Sequence, residues 1–543
     1  VATHTVLNQA VQPTDSNPAE YPPIAEALAR AGASERLPEV LAVGAAAGSA
    51  EVVEWGDRAE AHPPVLRTHD RYGYRIDEVA YDPAYHQLMT QAAKFGLTGY
   101  AWVDPQPNPH LVRAAKTLAW MHGDLGHTCP IAMTYAVVPA LRHNPELAAT
   151  YEPLFAARSY DPVLSVPAQK RSLTAGMSMT EKQGGSDVRA NTTRAELQAD
   201  GIYRITGHKW FTSAPMSDVF LMLAQTEAGS TCFLVPRICP DGTRNSLFLQ
   251  RLKDKLGNKS NASSELEYDA ALGWRVGAEG RGVPTITEMV NLTRLECLLQ
   301  TSSIMSTGVR RAAFHATHRL AFGHHLIDQP MMRNVLADLA VEAEAAASVT
   351  LWLAGLTDRV ATGDNSAASL RRISLAVSKY YVCKRGPMHA AETLEAFGGN
   401  GYVEESRMPR LFREAPLPSV WEGTGNVAAL DALRAMRRQP DTVAAFLDEI
   451  HLAEGCDSRL DVAIAGLEKQ LADPDEIEYR GRALVGSMAK VLQGSLLARY
   501  GNPAVADIFL ATRLGDRWGD VFGALPRGFD LDTVLDRART ETH

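Results

Sequence analysis

The feature that most constrains this chain is a change of hydrophobic period that happens twice. Between about residues 172 and 283 the apolar residues come in short strand-like runs: Val219 to Ala224 (VFLMLA), Thr231 to Val235 (TCFLV) and Ser264 to Tyr268 (SELEY). Ala195 to Leu197 and Ile202 to Ile205 flank Asp200-Gly201, a dipeptide that favours a hairpin because both residues tolerate positive φ. Outside this island the spacing is helical. It is seen in Arg113 to Met121 and Ala132 to Leu141 before it. After it come Ile286, Met289, Val290 and Leu298, then Val335, Leu336 and Leu339, then Leu370, Ile373, Leu394 and Phe397. The pattern predicts a small antiparallel barrel or sandwich between a helical region and a bundle of long helices. Gly398-Gly399 is expected to end one bundle helix and a short helix to follow Gly425.

A chain of 543 residues is too long for one core and long enough to bury a large cofactor. Its net charge is −9, and residues 441–543 carry −7 of that, with 18 Asp/Glu against 11 Lys/Arg. A protein held to nucleic acid mainly by charge usually reads basic, and this one does not. No uncharged apolar run of ~18 residues offers a membrane span. The first thirty residues are polar and broken by proline, so the expectation is a cytoplasmic protein. Six cysteines without a CxxC pair read as buried thiols. His324-His325, read as helical neighbours that point apart, is not expected to bind metal.

Four segments can carry chemistry. Met179 to Asp187 (MTEKQGGSD) is a Gly-Gly loop with hydroxyls, able to bring backbone N–H groups against a flat, oxygen-rich ligand, or to be a polar turn. His208 to Ser213 (HKWFTS) puts an indole beside hydroxyls, or is a strand end with a half-buried Trp. Arg319, three residues before Phe322-Gly323, can hold a pyrophosphate or answer a helix dipole. Glu395 to Tyr402 (EAFGGNGY) and Trp421 to Asn426 (WEGTGN) end with a carboxylate, Glu422, on a Gly-flanked loop ahead of a helix.

Together and in this order, the four segments resemble the acyl-CoA dehydrogenase family of flavoproteins, over roughly 85–440. MTEKQGGSD, GHKWF, RLKDKLGNKSNAS, VCKRG and WEGTGN, with a helical extension past 440, are similar to its AidB branch, associated with the response to DNA alkylation. Ser178 stands where a small Gly, Ala or Cys is usual, and Asn400 where Gly or Ser is usual. The resemblance implies an N-terminal helical domain (1–170), a central antiparallel β-barrel (171–283), a four-helix bundle (284–440) and an extra C-terminal helical domain (441–543). It implies FAD, touched by Met177, Met179, Thr180, Gly185, Ser186, Trp210, Phe211, Thr212, Ser213, Trp421, Gly423, Thr424 and Asn426. Arg319, Phe322, Gly398 and Gly399 match positions that reach the FAD of a neighbouring subunit, which implies a homo-oligomer, taken as a tetramer.

Glu422 then stands at the place of the catalytic base, and Arg294 and Arg434 match basic positions near the substrate, although Asp431 and Arg434 also read as a plain i,i+3 pair. The implied reaction is α,β-dehydrogenation of an acyl thioester, with the α-proton passing to Glu422 and the β-hydride to the flavin. A second reading is a DNA-protecting flavoprotein with little turnover. The acidic last segment argues for weak duplex binding at most, unless Arg480, Arg482, Lys490, Arg499, Arg513, Arg517 and Arg527 gather on one face.

Overall fold

The computed structural model describes residues 3–9, 16–515 and 519–539. The chain forms two compact units: one of residues 51–109 and 123–296, the other of residues 1–50, 110–122 and 297–543.

The first unit is built on the strand island. A hairpin, β1 (Val65–His69) and β2 (Arg75–Ala80), precedes a seven-stranded sheet: β3 (Ala175–Ser178), β4 (Arg194–Leu197), β5 (Tyr203–Ser213), β6 (Val219–Thr226), β7 (Gly229–Pro236), β8 (Leu247–Leu252) and β9 (Ser263–Val276). The strand order is β3-β5-β4-β6-β7-β9-β8, and the further pairings β3–β6 and β5–β9 close it. Closure satisfies backbone groups that an open edge would leave unpaired. The inward residues of this barrel include Ile205, Phe233 and Leu249, each 0% exposed, with Met222 and Leu266 beside them.

The Asp200-Gly201 hairpin forms, with Leu197 facing Tyr203. Two expectations need correction. The sheet is not wholly antiparallel, because β3 runs parallel to β6 from Ala175↔Val219 to Ser178↔Met222. The region before 170 is not only helix and loop, since it contains the β1–β2 hairpin. The helices expected there appear as Pro109–Trp120, which belongs mostly to the other unit, and Thr128–Leu141.

The second unit is the helical one. Its long helices are α1 (Gly282–His318, entering this unit at 297), α2 (Pro330–Ala361), α3 (Asn365–Glu395) and α4 (Gly425–Arg438). Polar contacts link them inside the core. The hydroxyls of Ser302 and Thr350 meet at 3.0 Å, Thr301 Oγ1 lies 3.4 Å from Cys383 Sγ, and Arg372 pairs bidentately with Asp431 at 3.0 and 2.8 Å. By length and composition α2 could cross a membrane. Its charges at Asp338, Glu342, Glu344, Asp358 and Arg359 hide it from a search for uncharged runs, and 89% of its apolar window is buried in the protein.

The last segment folds as α5 (Pro440–His451), α6 (Ser458–Ala472), α7 (Gly481–Tyr500) and shorter pieces. Although this segment is acidic overall, its anchors are basic. Arg513 is 2% exposed and meets Asp338 at 2.5 Å and Glu342 at 3.0 Å, while Arg537 meets Glu344 at 2.8 Å.

Candidate functional site

In the barrel unit, the residue pattern builds a braced loop. β3 pairs with β5 at Ser178↔Thr212, which brings the start of the MTEKQGGSD loop beside the HKWFTS strand. Trp210 then donates its backbone N–H to the Thr180 carbonyl at 2.8 Å. Gly185 sits so close to Thr180 that an added Cβ would lie 2.5 Å from its Oγ1, so a larger residue there would force the Thr180 side chain to shift. Met179, Thr180, Gly185 and Trp210 are thereby brought together. Met177 and Met179 are half-buried, Gly185 and Ser186 are exposed, and Phe211 is 51% exposed at the strand end. Thr212 is buried, and Ser213 Oγ lies 3.3 Å from Ser263 Oγ. The Lys253 ammonium lies 3.4 Å from the centre of the Trp210 ring. Arg294 is buried, at 7% exposure.

The brace is a buried ion pair that sequence reasoning missed. Lys209 and Glu181 have fully buried side chains 2.9 Å apart. Lys209 also donates to the Leu223 carbonyl at 2.8 Å, and Glu181 accepts from the backbone N–H of Thr192 at 2.6 Å and of Thr193 at 3.1 Å. Burial pushes the Glu181 carboxyl up, but the Lys209 charge and these donors outweigh it and hold it at about 2. Glu181, inside the signature loop, is thus committed to structure.

In the helical unit, the WEGTGN segment is a turn ahead of α4. Glu422 has φ +58° and Gly423 φ +100°. Glycine adopts the second readily, whereas a glutamate in the left-handed region is strained and must be held there. What holds it is Lys379 of α3, 1% exposed, which donates to the carbonyls of Trp421, at 2.9 Å, and of Gly423 on either side of it. A lysine on a helix reads as a solvated charge in sequence, and no motif pointed to it. Glu422 is half-buried and Thr424 and Asn426 are exposed. The Trp421 indole Nε1 is buried without a hydrogen-bond partner among the described residues, an unmet donor beside the carboxylate's own residue.

Two further pieces lie on this unit. Arg319 follows the end of α1 and opens a hairpin of β10 (Leu320–Ala321) and β11 (His324–His325). Its tip is Phe322, 94% exposed at φ +53°, and Gly323. His324-His325 is therefore a strand pair rather than part of a helix. Arg319 donates to the Asn8 carbonyl at 2.5 Å. At Gly398 and Gly399 an added Cβ would meet nothing within 4 Å, so both face open space just after α3. Arg434 has a side chain 58% exposed and lies 4.0 Å from Asp431, whose carboxylate Arg372 holds.

Of the basic residues weighed for a nucleic-acid face, Arg480 pairs with Asp473 at 3.2 Å, Arg499 with Glu449, and Arg513 is buried on Asp338 and Glu342. Arg482 donates to Tyr380 Oη at 3.2 Å. Arg517 lies outside the described residues.

Comparison with known proteins covers nearly the whole chain. Residues 8–162 match the model of the adaptive response protein AidB N-terminal domain, 176–271 the acyl-CoA dehydrogenase middle domain, and 280–436 the acyl-CoA dehydrogenase C-terminal domain. The chain is 40% identical over 523 residues to the putative acyl-CoA dehydrogenase AidB of Escherichia coli, covering 95% of each. The structure of Caenorhabditis elegans ACDH-11 in complex with C11-CoA superposes with a TM-score of 0.84 at 27% identity over 95% of both chains. A Bacillus anthracis acyl-CoA dehydrogenase complexed with FAD shares the fold, with a TM-score of 0.62 at 20% identity over 79% of this chain and 77% of that one.

Proposed function

The chain belongs to the acyl-CoA dehydrogenase family, in its AidB branch, and from that premise we propose that it dehydrogenates an acyl thioester at Cα–Cβ with Glu422 as the base. It is an oxidoreductase, and its cofactor is FAD, which when bound supplies the acceptor for the β-hydrogen as hydride. The observation that carries the assignment of Glu422 is the turn. A carboxylate is kept in left-handed backbone by a buried lysine on both flanking carbonyls, an arrangement too strained to persist without support.

The residues fit the group. Trp421 offers a buried indole N–H with no partner among the described residues, and the Thr180–Gly185 loop offers backbone and hydroxyl donors on a braced scaffold. Met177, Met179, Thr180, Gly185, Ser186, Trp210 to Ser213, Trp421, Gly423, Thr424 and Asn426 are the residues assigned to the flavin. In the reaction Glu422 takes the α-proton on a carboxylate oxygen as the β-hydrogen leaves with its electron pair. A backbone N–H polarises the thioester carbonyl and so lowers the cost of the carbanionic charge. Arg294 and Arg434 are assigned to the substrate side.

The Phe322 hairpin supports a homo-oligomer. A phenylalanine 94% exposed at a strained tip gains nothing in a lone chain, and a second subunit's cofactor would cover it. We place the enzyme in the cytoplasm. Duplex DNA binding is proposed to be weak and to fail early as salt rises, because the last segment is acidic overall and Arg480, Arg499 and Arg513 are spent on its own acids and on α2. An anaerobic screen of acyl-CoA thioesters, read by bleaching of the flavin's visible absorbance, tests the main reading. One thioester should bleach it stoichiometrically. A FAD-loaded protein reduced by dithionite but by no thioester of any chain length would overturn the assignment.

A further inference from the structure

The barrel unit contains a cavity of about 290 Å³ whose lining includes none of the residues assigned to FAD, thioester or base. Its wall is aromatic. Tyr81 and Tyr85 stack with ring centres 4.1 Å apart, His86 stacks on Tyr160 at 5.9 Å, and His86 stands edge-on to both Tyr81 and Tyr85 at 6.0 and 5.7 Å. The His86 Nδ1 and Tyr160 Oη lie 3.1 Å apart, which fixes the two rings. The thioethers of Met89 and Met216 complete the soft part of the lining.

The charged part has one sign. Asp161 and Glu78 line the cavity, and among the described residues no lysine or arginine does, the nearby Lys170 donating to the Asp161 carbonyl at 2.8 Å and pairing with Asp218 at 2.6 Å. Glu78 sits at the rim in an ion pair with Arg244 at 2.9 Å, and Asp161 has Arg171 only at 4.0 Å. Burial lowers the proton affinity of His86, partly offset by Asp82, so the ring adds no positive charge near neutral pH. Arg237, near enough to act on Tyr81, is outside the lining and keeps its charge, its guanidinium held by the carbonyls of Pro215 and Asp77 at 3.0 and 2.9 Å. The cavity also holds an unmet polar group: Ser217, 2% exposed, has a buried Oγ with no hydrogen-bond partner among the described residues. Such groups are rare in native interiors unless something occupies them.

Aromatic rings, thioethers and a carboxylate whose ion pair is as long as 4.0 Å, that of Asp161, are the chemistry that selects a positively charged organic group over water and over anions. We propose that this cavity binds a small organic ammonium ion, with its cationic head toward Asp161 and the tyrosines and an N–H donated to Ser217. None of the lining residues is assigned to the flavin, the thioester or the base, so the site is independent of the dehydrogenase reading.

Calorimetric titration of the FAD-loaded protein with phenethylammonium chloride at neutral pH tests it, using 2-phenylethanol as the neutral isostere. The ammonium ion should bind saturably at one site per chain and the alcohol about tenfold more weakly or not at all. Asp161→Asn should weaken the ammonium ion by about tenfold, the worth of a charged hydrogen bond, without changing flavin content. No saturable binding of the ammonium ion, equal binding of the alcohol, or an unchanged affinity in Asp161→Asn would each overturn the proposal.

Discussion

Two of the loops with implied cofactor contacts each hang on a buried lysine that lies outside the loop. In the barrel, Lys209 holds the MTEKQGGSD loop. In the bundle, Lys379 holds the WEGTGN turn. The difference lies in what neutralises them. Lys209 faces a carboxylate, Glu181, so its charge is spent within the scaffold. The hydrogen-bond partners of Lys379 are two carbonyl oxygens, those that flank Glu422 in sequence. A matched buried pair makes a rigid platform, whereas a lysine on carbonyls makes a clamp that fixes a strained turn.

The sharpest way to break this comparison is to remove each lysine. Lys209→Met leaves Glu181 buried without its counter-charge, so it should cost about 3–5 kcal/mol and a large drop in the urea midpoint. Pairing it with Glu181→Gln should recover much of that loss, and a double variant as unstable as the single would show that the pair is not the brace. Lys379→Met strips one donor from two carbonyls and should cost less, about 1–3 kcal/mol. Its larger effect should appear in the rate of flavin reduction by thioester, while flavin content stays close to wild type. Equal damage to stability and rate in the two variants would erase the distinction.

A pH series sharpens the contrast further. Glu181 is held at about 2 in the folded protein, below its ordinary value of 4.5. Its stabilising contribution is therefore complete above about 4.5 and is lost as pH falls toward 2. Acid unfolding should be shallower in the Glu181→Gln/Lys209→Met double variant than in wild type. Asp358 supplies the opposite sign. Burial raises it to about 6, against the N–H groups of His110 and Leu111 that it accepts at 2.8 and 2.9 Å. Stability tied to Asp358 is present below about 3.8 and is lost as pH rises through 6, so a small rise in melting temperature is expected between pH 7 and 5, and Asp358→Asn should flatten it. The smallest expected effect is that of salt on duplex DNA, with a shallow slope of log K because few phosphates are neutralised.

What the sequence showed and hid follows the same division. Period and turn residues revealed the Asp200-Gly201 hairpin, β6, β7 and the long bundle helices, because those signals are local. The parallel pairing of β3 with β6 joins residues more than forty apart and leaves no local trace. The β1–β2 hairpin was missed because its run, LRTHDRYGYRIDEV, is too charged to alternate cleanly. Loop motifs located the glycines and Glu422. Lys209 and Lys379 were invisible because a buried lysine differs from a solvated one only through its distant partners, and the basic anchors of the acidic last segment were hidden for the same reason.

The most direct measurement is single-turnover reduction of the flavin by an active acyl thioester, under anaerobic conditions, in wild type and in Glu422→Gln. Removing the base while keeping its shape should slow reduction by about 10²–10⁴, with flavin content and thioester affinity near wild type. Equal rates in the two proteins would show that the strained turn presents its carboxylate for some other purpose and that the base lies elsewhere.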